Sequence, residues 1–179
     1  MKRLIPLFIL VCFFSLSTTV YAKDYSDSIK TINISQLSNE DMTETLDSLI
    51  QKISKDLGIV HIPHASCYEY DWSVLAHNTL IPIGNVGSTI CVNLLPFKSC
   101  ENANYLLVHT IAHEVRHTYQ YEHQFDDSDY GRACYNGLHN YNSWYEDIDA
   151  YYSQWLEQDA NEYADSYTEK YFNFDLTTE

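Results

Sequence analysis

Three stretches of the chain repeat apolar residues at helical spacing. Met42, Leu46, Leu49, Ile50, Ile53 and Leu57 recur every three or four positions, which predicts a helix over Leu37 to Gly58 with one buried face. Ser38, with Asp41 three residues on, is a capping-box-like start, and Gly58 is a stop. The second stretch, Glu101 to Gln124, carries Tyr105-Leu106-Leu107-Val108 and Ile111-Ala112 and predicts the central helix. The third, Trp144 to Tyr171, sets Ile148, Tyr152, Trp155, Leu156, Ala160, Tyr163, Ala164 and Tyr167 along one stripe and predicts a second long helix.

Between these stretches the period changes. Ile59 to Asp71 alternates weakly through Val60, Ile62, Tyr68 and Tyr70 and reads as extended chain broken at Pro63. Leu80-Ile81-Pro82-Ile83 and Ser88 to Leu95 predict two short strands around the turn Gly84-Asn85-Val86-Gly87. Pro82 confines the first to a sheet edge. Thr89-Ile90-Cys91-Val92-Asn93-Leu94 is the stronger strand, and its edge could take up an extended peptide. Phe125 to Ser143 holds Gly131, Gly137 and the run Asp126-Asp127-Ser128-Asp129, and predicts a long irregular connection of the kind that often carries function. The acidic run lacks the ligand spacing and closing Glu of a calcium loop. Lys23 to Ile34 is a polar lead-in.

Charge and the amino terminus narrow the classes. The 179 residues carry 25 acidic and 10 basic side chains, a formal net charge of −15. Past Tyr105 the only cations besides His are Arg116, Arg132 and Lys170. Such a chain repels the phosphates of nucleic acid and anionic lipid, so no nucleic-acid partner is expected. Lys2 and Arg3, the apolar run Leu4 to Leu16 and the small residues of Val20-Tyr21-Ala22 predict a signal peptide over residues 1–22, cleaved after Ala22. The run of 13 apolar residues falls short of the roughly 20 that span a membrane. The expectation is a secreted or periplasmic single domain over residues 23–179 with no stable membrane insertion; an uncleaved anchor is the alternative. Without Lys2 and Arg3 its charge is −17. Cys67, Cys91, Cys100 and Cys134 suggest two disulfides with the pairing open, of which Cys91–Cys100 would pin the loop before the central helix. Of the 16 tyrosines, 12 follow residue 104, and they are expected in the core between the two long helices with their hydroxyls at its rim.

The chemistry concentrates in the central helix. His113-Glu114-Val115-Arg116-His117 reads H-E-x-x-H. On a helix His113 and His117 lie one turn apart on one face and can hold a zinc ion, with Glu114 beside them to take a proton from an activated water. His109 and His117 are two turns apart, about 12 Å along the axis, so both cannot reach one ion; His109 is expected to be buried or to support a ligand. A catalytic site needs a third protein ligand. Candidate donors to the oxyanion of the reaction are Tyr121, His123, Tyr130, His139 and Tyr141.

Glu157-Gln158-Asp159-Ala160-Asn161-Glu162-Tyr163-Ala164 reads E-x-x-A-N-x-[aromatic]-A. With H-E-x-x-H before it, the chain resembles zinc peptidases of the ImmA/IrrE type, within the zincin group, over about residues 88–164. The resemblance implies that Glu157 is the third metal ligand with His113 and His117, and that Glu114 is the general base. Ala160 and Ala164, small and one turn apart, suit two closely packed helices. Asn161, one turn past Glu157, could fix a ligand imidazole. Glu146, Asp147, Asp149 and Asp159 are substitutes if Glu157 faces away. The chain departs from the family pattern at Arg116, where glycine is usual, and after Ala164; it also has no DNA-binding helix-turn-helix region.

The expected fold is α+β: a zincin-like domain with a small twisted sheet, an active-site helix and a facing C-terminal helix. The expected function is a secreted, Zn2+-dependent metallopeptidase acting on a peptide or protein substrate. The alternatives are an exported binding protein with a structural zinc, its fourth position closed by His123 or an Asp, and a metal-free acidic interaction module.

Overall fold

The computed structural model describes residues 28–69, 75–79, 88–143 and 146–173. The expected signal peptide, and the expected strand at 80–83 with its turn at 84–87, lie outside the described residues. Two short 3₁₀ turns, Ser28–Lys30 and Ile34–Gln36, lead into helix α1 (Asn39–Leu57). Ser38 Oγ accepts the Asp41 N–H at 3.1 Å and donates to the Asp41 carboxylate at 2.6 Å, which closes the first turn. Gly58 ends the helix at φ 75°. Met42, Leu46, Leu49, Ile50 and Ile53 are fully buried, as their spacing requires.

Strands β1 (His64–Tyr68), β2 (Ala76–Thr79) and β3 (Thr89–Asn93) form a mixed sheet in the order β1-β3-β2. β3 runs parallel to β1 and antiparallel to β2. The strongest strand of the sequence is therefore central, with both edges paired, and cannot add a peptide strand; among the described residues β2 is the edge on its far side. Ala65, Ile90 and Val92 face one way into the core formed with α1 and the central helix. β2 reads Ala-His-Asn-Thr and has no apolar alternation to announce it. Pairing with β3 and the Asn78 amide, which donates to Glu114 O (2.9 Å) and Thr118 Oγ1 (2.8 Å), fix it in place.

The four cysteines remain thiols rather than the two expected disulfides. Cys91 stands opposite Ser66 and Cys67 opposite Val92, so the side chains of Cys67 and Cys91 point to opposite faces of the sheet. Cys100 follows the short helix α2 (Leu95–Lys98). Cys134 is buried, and desolvation pushes its thiol up to about 11.

The central helix is α3 (Ala103–His123). The irregular connection expected over Phe125 to Ser143 is instead largely a helix, α4 (Asp129–His139), capped by Ser128 Oγ on Gly131 N–H at 2.9 Å. Its glycines read as breakers, yet they are points of close approach. A Cβ on Gly131 would stand 2.4 Å from Asp126 O, and one on Gly137 would stand 2.6 Å from Leu156 Cγ. The Asp126–Asp129 run serves this cap and binds Arg132 through Asp127 and Asp129.

The single helix expected over Trp144 to Tyr171 is two: α5 (Ile148–Tyr152) and α6 (Trp155–Asn173). Gln154 interrupts it by clasping Asn142, accepting from its N–H at 2.6 Å and donating to its carbonyl at 2.9 Å. The stripe is broken accordingly. Ile148, Tyr152 and Trp155 are exposed, whereas Leu156, Ala160 and Ala164 are buried. The tyrosines do not form one core. Tyr163 and Tyr167 pack against it and Tyr171 is buried, while others ring Arg116 and the site below. The described fold is thus α+β, six helices and a three-stranded sheet, and none of its helices is long and apolar enough to cross a membrane.

Candidate metal centre

α3 and α6 lie against each other in opposite directions, and their polar partners step accordingly. His109 meets Asp165, His113 meets Asn161, Arg116 meets Asp159, and Gln120 meets the Leu156 carbonyl. Ala160 and Ala164, fully buried, keep the two backbones close enough for these short side chains to touch. The apolar face of α3, with Leu107, Val108, Ile111 and Val115, packs into the core on the other side.

In the middle of this ladder His113, His117 and Glu157 converge. His113 Nε2 lies 3.0 Å from His117 Nε2 and 3.3 Å from Glu157 Oε2, and His117 Nε2 lies 3.4 Å from Glu157 Oε1. Four ligands on bonds of about 2.0–2.1 Å in a tetrahedron stand roughly 3.3 Å apart; each imidazole meets that spacing with a different oxygen of Glu157, and one ligand atom from each residue lies within 4.8 Å of the other two, so this donor set can surround a small cation. The group can hold a metal ion; among the described residues no other cluster of His, Cys, Asp and Glu does. The Glu157 side chain is 1 % exposed, while the imidazoles keep 13 % and 14 %, so the imidazole side of the group is the less enclosed.

The carboxylate of Glu157 lies between the two imidazoles. Burial alone would raise the Glu157 carboxyl, but hydrogen bonds from His113 and His117 and the charge of His117 hold it well below the usual carboxylate range. Burial alone would lower His117, but the Glu157 hydrogen bond and the charges of Glu114 and Glu157 lift it to about 9. A divalent cation at the same point would replace that proton.

Each candidate residue can now be placed. Glu114 is buried on α3, its backbone carbonyl bound to Asn78, and its charge is felt at both His117 and Tyr151. Asn161 Oδ1 lies 3.0 Å from His113 Nδ1, the supporting contact expected of it. His109 stands apart from the cluster, against Asp165 at 3.1 Å. Of the substitutes for Glu157, Asp147 caps α5, Glu146 accepts from Ser143 N–H, and Asp159 binds Arg116. Of the candidate oxyanion donors, His123 Nδ1 lies against Tyr119 O, Tyr130 donates to Asp159, and His139 Nδ1 lies against Tyr135 O. Tyr141 differs: its hydroxyl donates to Glu157 Oε1 at 2.6 Å. Burial and the Glu157 carboxylate push both Tyr141 and its neighbour Tyr151 far up, so both stay protonated.

Four residues of the site escaped the sequence reading: Asn78, Gln120, Tyr151, and Asp159 in its actual role. Gln120, one turn past His117 on the same face, carried the one usable signal. Comparison of the chain with protein families, with curated proteins and with solved structures finds no match.

Proposed function

We propose that this protein is an exported zinc-dependent peptidase of the zincin kind. The observation that carries the reading is the convergence of His113, His117 and Glu157 from two helices at tetrahedral ligand spacing. Two imidazoles and a carboxylate, less enclosed on the imidazole side, are the donor set of catalytic rather than structural zinc. The amino-terminal segment supports export.

Zinc held there would polarise a peptide carbonyl and make a neighbouring water acidic. Glu114, next to His113 in α3, takes the proton of the attacking water and returns it to the departing amine. Asn161 holds the His113 ring in place from its outer nitrogen. The Tyr141 hydroxyl, at the cluster and protonated, would serve the developing oxyanion by turning its hydrogen from Glu157 Oε1 to it. β2, tied to α3 through Asn78, is among the described residues a sheet edge and would suit an extended substrate. A structural zinc would need a closing fourth ligand, and His123 and Asp159 are both engaged elsewhere.

The test is elemental analysis of purified protein together with hydrolysis of an unfolded protein substrate. Stoichiometric zinc, and a Glu114→Gln variant that keeps the zinc while hydrolysis falls at least about 100-fold, is the expected result. Absence of zinc in the wild type, or full hydrolysis by the variant, sinks the reading.

A further inference from the structure

We propose that Gln120 fixes which ring nitrogen of His117 meets the metal, and that Arg116 and Asp159 act on the centre through it. The inference rests on reading His113, His117 and Glu157 as a metal centre.

Gln120 is completely buried. One end of its amide lies 2.9 Å from Leu156 O and 2.8 Å from Asp159 Oδ2. A backbone carbonyl and an ionised carboxylate only accept, so that end is the NH₂ group and the other end is the carbonyl oxygen. The oxygen lies 2.8 Å from His117 Nδ1. A carbonyl oxygen only accepts, so Nδ1 must carry a hydrogen whether the ring is neutral or charged. The neutral ring then has its lone pair on Nε2, the atom that faces His113 and Glu157. The amide is thus read by two acceptors on one side and dictates a tautomer on the other.

Asp159 is itself held. Its carboxylate accepts Arg116 Nε at 2.8 Å and Nη2 at 2.9 Å, and the Tyr130 hydroxyl at 3.1 Å. The guanidinium stands 4.6 Å from the Tyr119 ring, 5.3 Å from Tyr130 and 5.2 Å from Tyr163, an aromatic enclosure that leaves it one direction for its paired hydrogen bonds. This chain of contacts gives a task to Arg116, the residue at which the H-E-x-x-H segment departs from the glycine usual in the family it resembles. Gln120, Asp159 and Arg116 are positioning residues, none of which touches the metal.

The experiment combines zinc affinity, by competition with a chelating dye, and nitrogen-15 NMR of the imidazole rings. In the zinc-loaded wild type His117 is expected to bind through Nε2, with an Nδ1 proton protected from exchange with water. Gln120→Leu is expected to lose zinc affinity about 10- to 100-fold and to expose that proton to exchange. Arg116→Met, farther from the ring, is expected to lower affinity by a smaller factor. Coordination of His117 through Nδ1, or wild-type zinc affinity in Gln120→Leu, overturns the proposal. If Gln120→Leu does not fold, the wild-type spectrum and Arg116→Met decide: a fast-exchanging Nδ1 proton, or unchanged affinity in Arg116→Met, counts against it. If the wild type takes up no zinc, the metal reading fails, and the Nδ1 proton of the metal-free protein still shows whether Gln120 holds the ring.

Discussion

The two faces of α3 obey different rules. Toward α1 and the sheet it presents Leu107, Val108, Ile111 and Val115, all fully buried and held by area alone. Toward α6 it presents His109, His113, Arg116, His117 and Gln120, each matched to named partners at hydrogen-bond or ligand distance. The first face tolerates any apolar residue of suitable volume. The second tolerates almost no change, because a buried polar group that loses its partner keeps its desolvation cost. One helix thus divides its labour: the apolar face holds the fold and the polar face holds the chemistry.

The sharpest way to break this division is on the polar face. Glu157→Ala should abolish stoichiometric zinc binding while the far-ultraviolet circular dichroism stays that of the wild type; zinc retained at full stoichiometry would show that the ligand set is wrong. On the apolar face Leu107→Ala should cost about 2–5 kcal/mol of unfolding free energy by chemical denaturation, with zinc affinity of the folded protein unchanged. A large loss of affinity there would mean that the two faces are coupled.

Gly137→Ala probes where they meet. Its new Cβ would press on Leu156, whose carbonyl orients Gln120 and whose neighbour is Glu157. A cost of about 1–3 kcal/mol is expected, with a measurable fall in zinc affinity beside it. The smallest effect belongs to the broken stripe: Ile148→Ser, at an exposed position of α5, should change stability by less than about 0.5 kcal/mol. A larger loss would mean that the exposed side of α5 is covered in solution.

The two faces also differ in how they could be read. The core positions of α1 and α3 follow from period alone, since a 3.6-residue repeat puts the apolar residues on one side whatever they pack against. The His113 and His117 pair was legible for another reason: an ion of fixed radius demands particular donors at one-turn spacing, and Ala160 and Ala164 marked where a second helix comes close. α4 escaped because Gly131 and Gly137 look like breaks until Asp126 and Leu156 are seen crowding them. β2 escaped because its order comes from β3 and from the Asn78 contacts with α3. One cysteine pairing could be judged only from strand register, which no count of cysteines contains: it turns Cys67 and Cys91 to opposite faces.

By itself the sequence determined what depends on neighbours one or two turns away: the helices α1 and α3, the central strand and the H-E-x-x-H pair; Glu157 was reached only through the resemblance. Only the tertiary structure decided what depends on residues far apart in the chain. It paired Gln120 with Leu156 and Asp159, set the Tyr141 hydroxyl on Glu157, and split the last helix at Gln154. The physical reason is range: periodicity and capping act along the chain, whereas a hydrogen bond has no signature until both its ends are brought together.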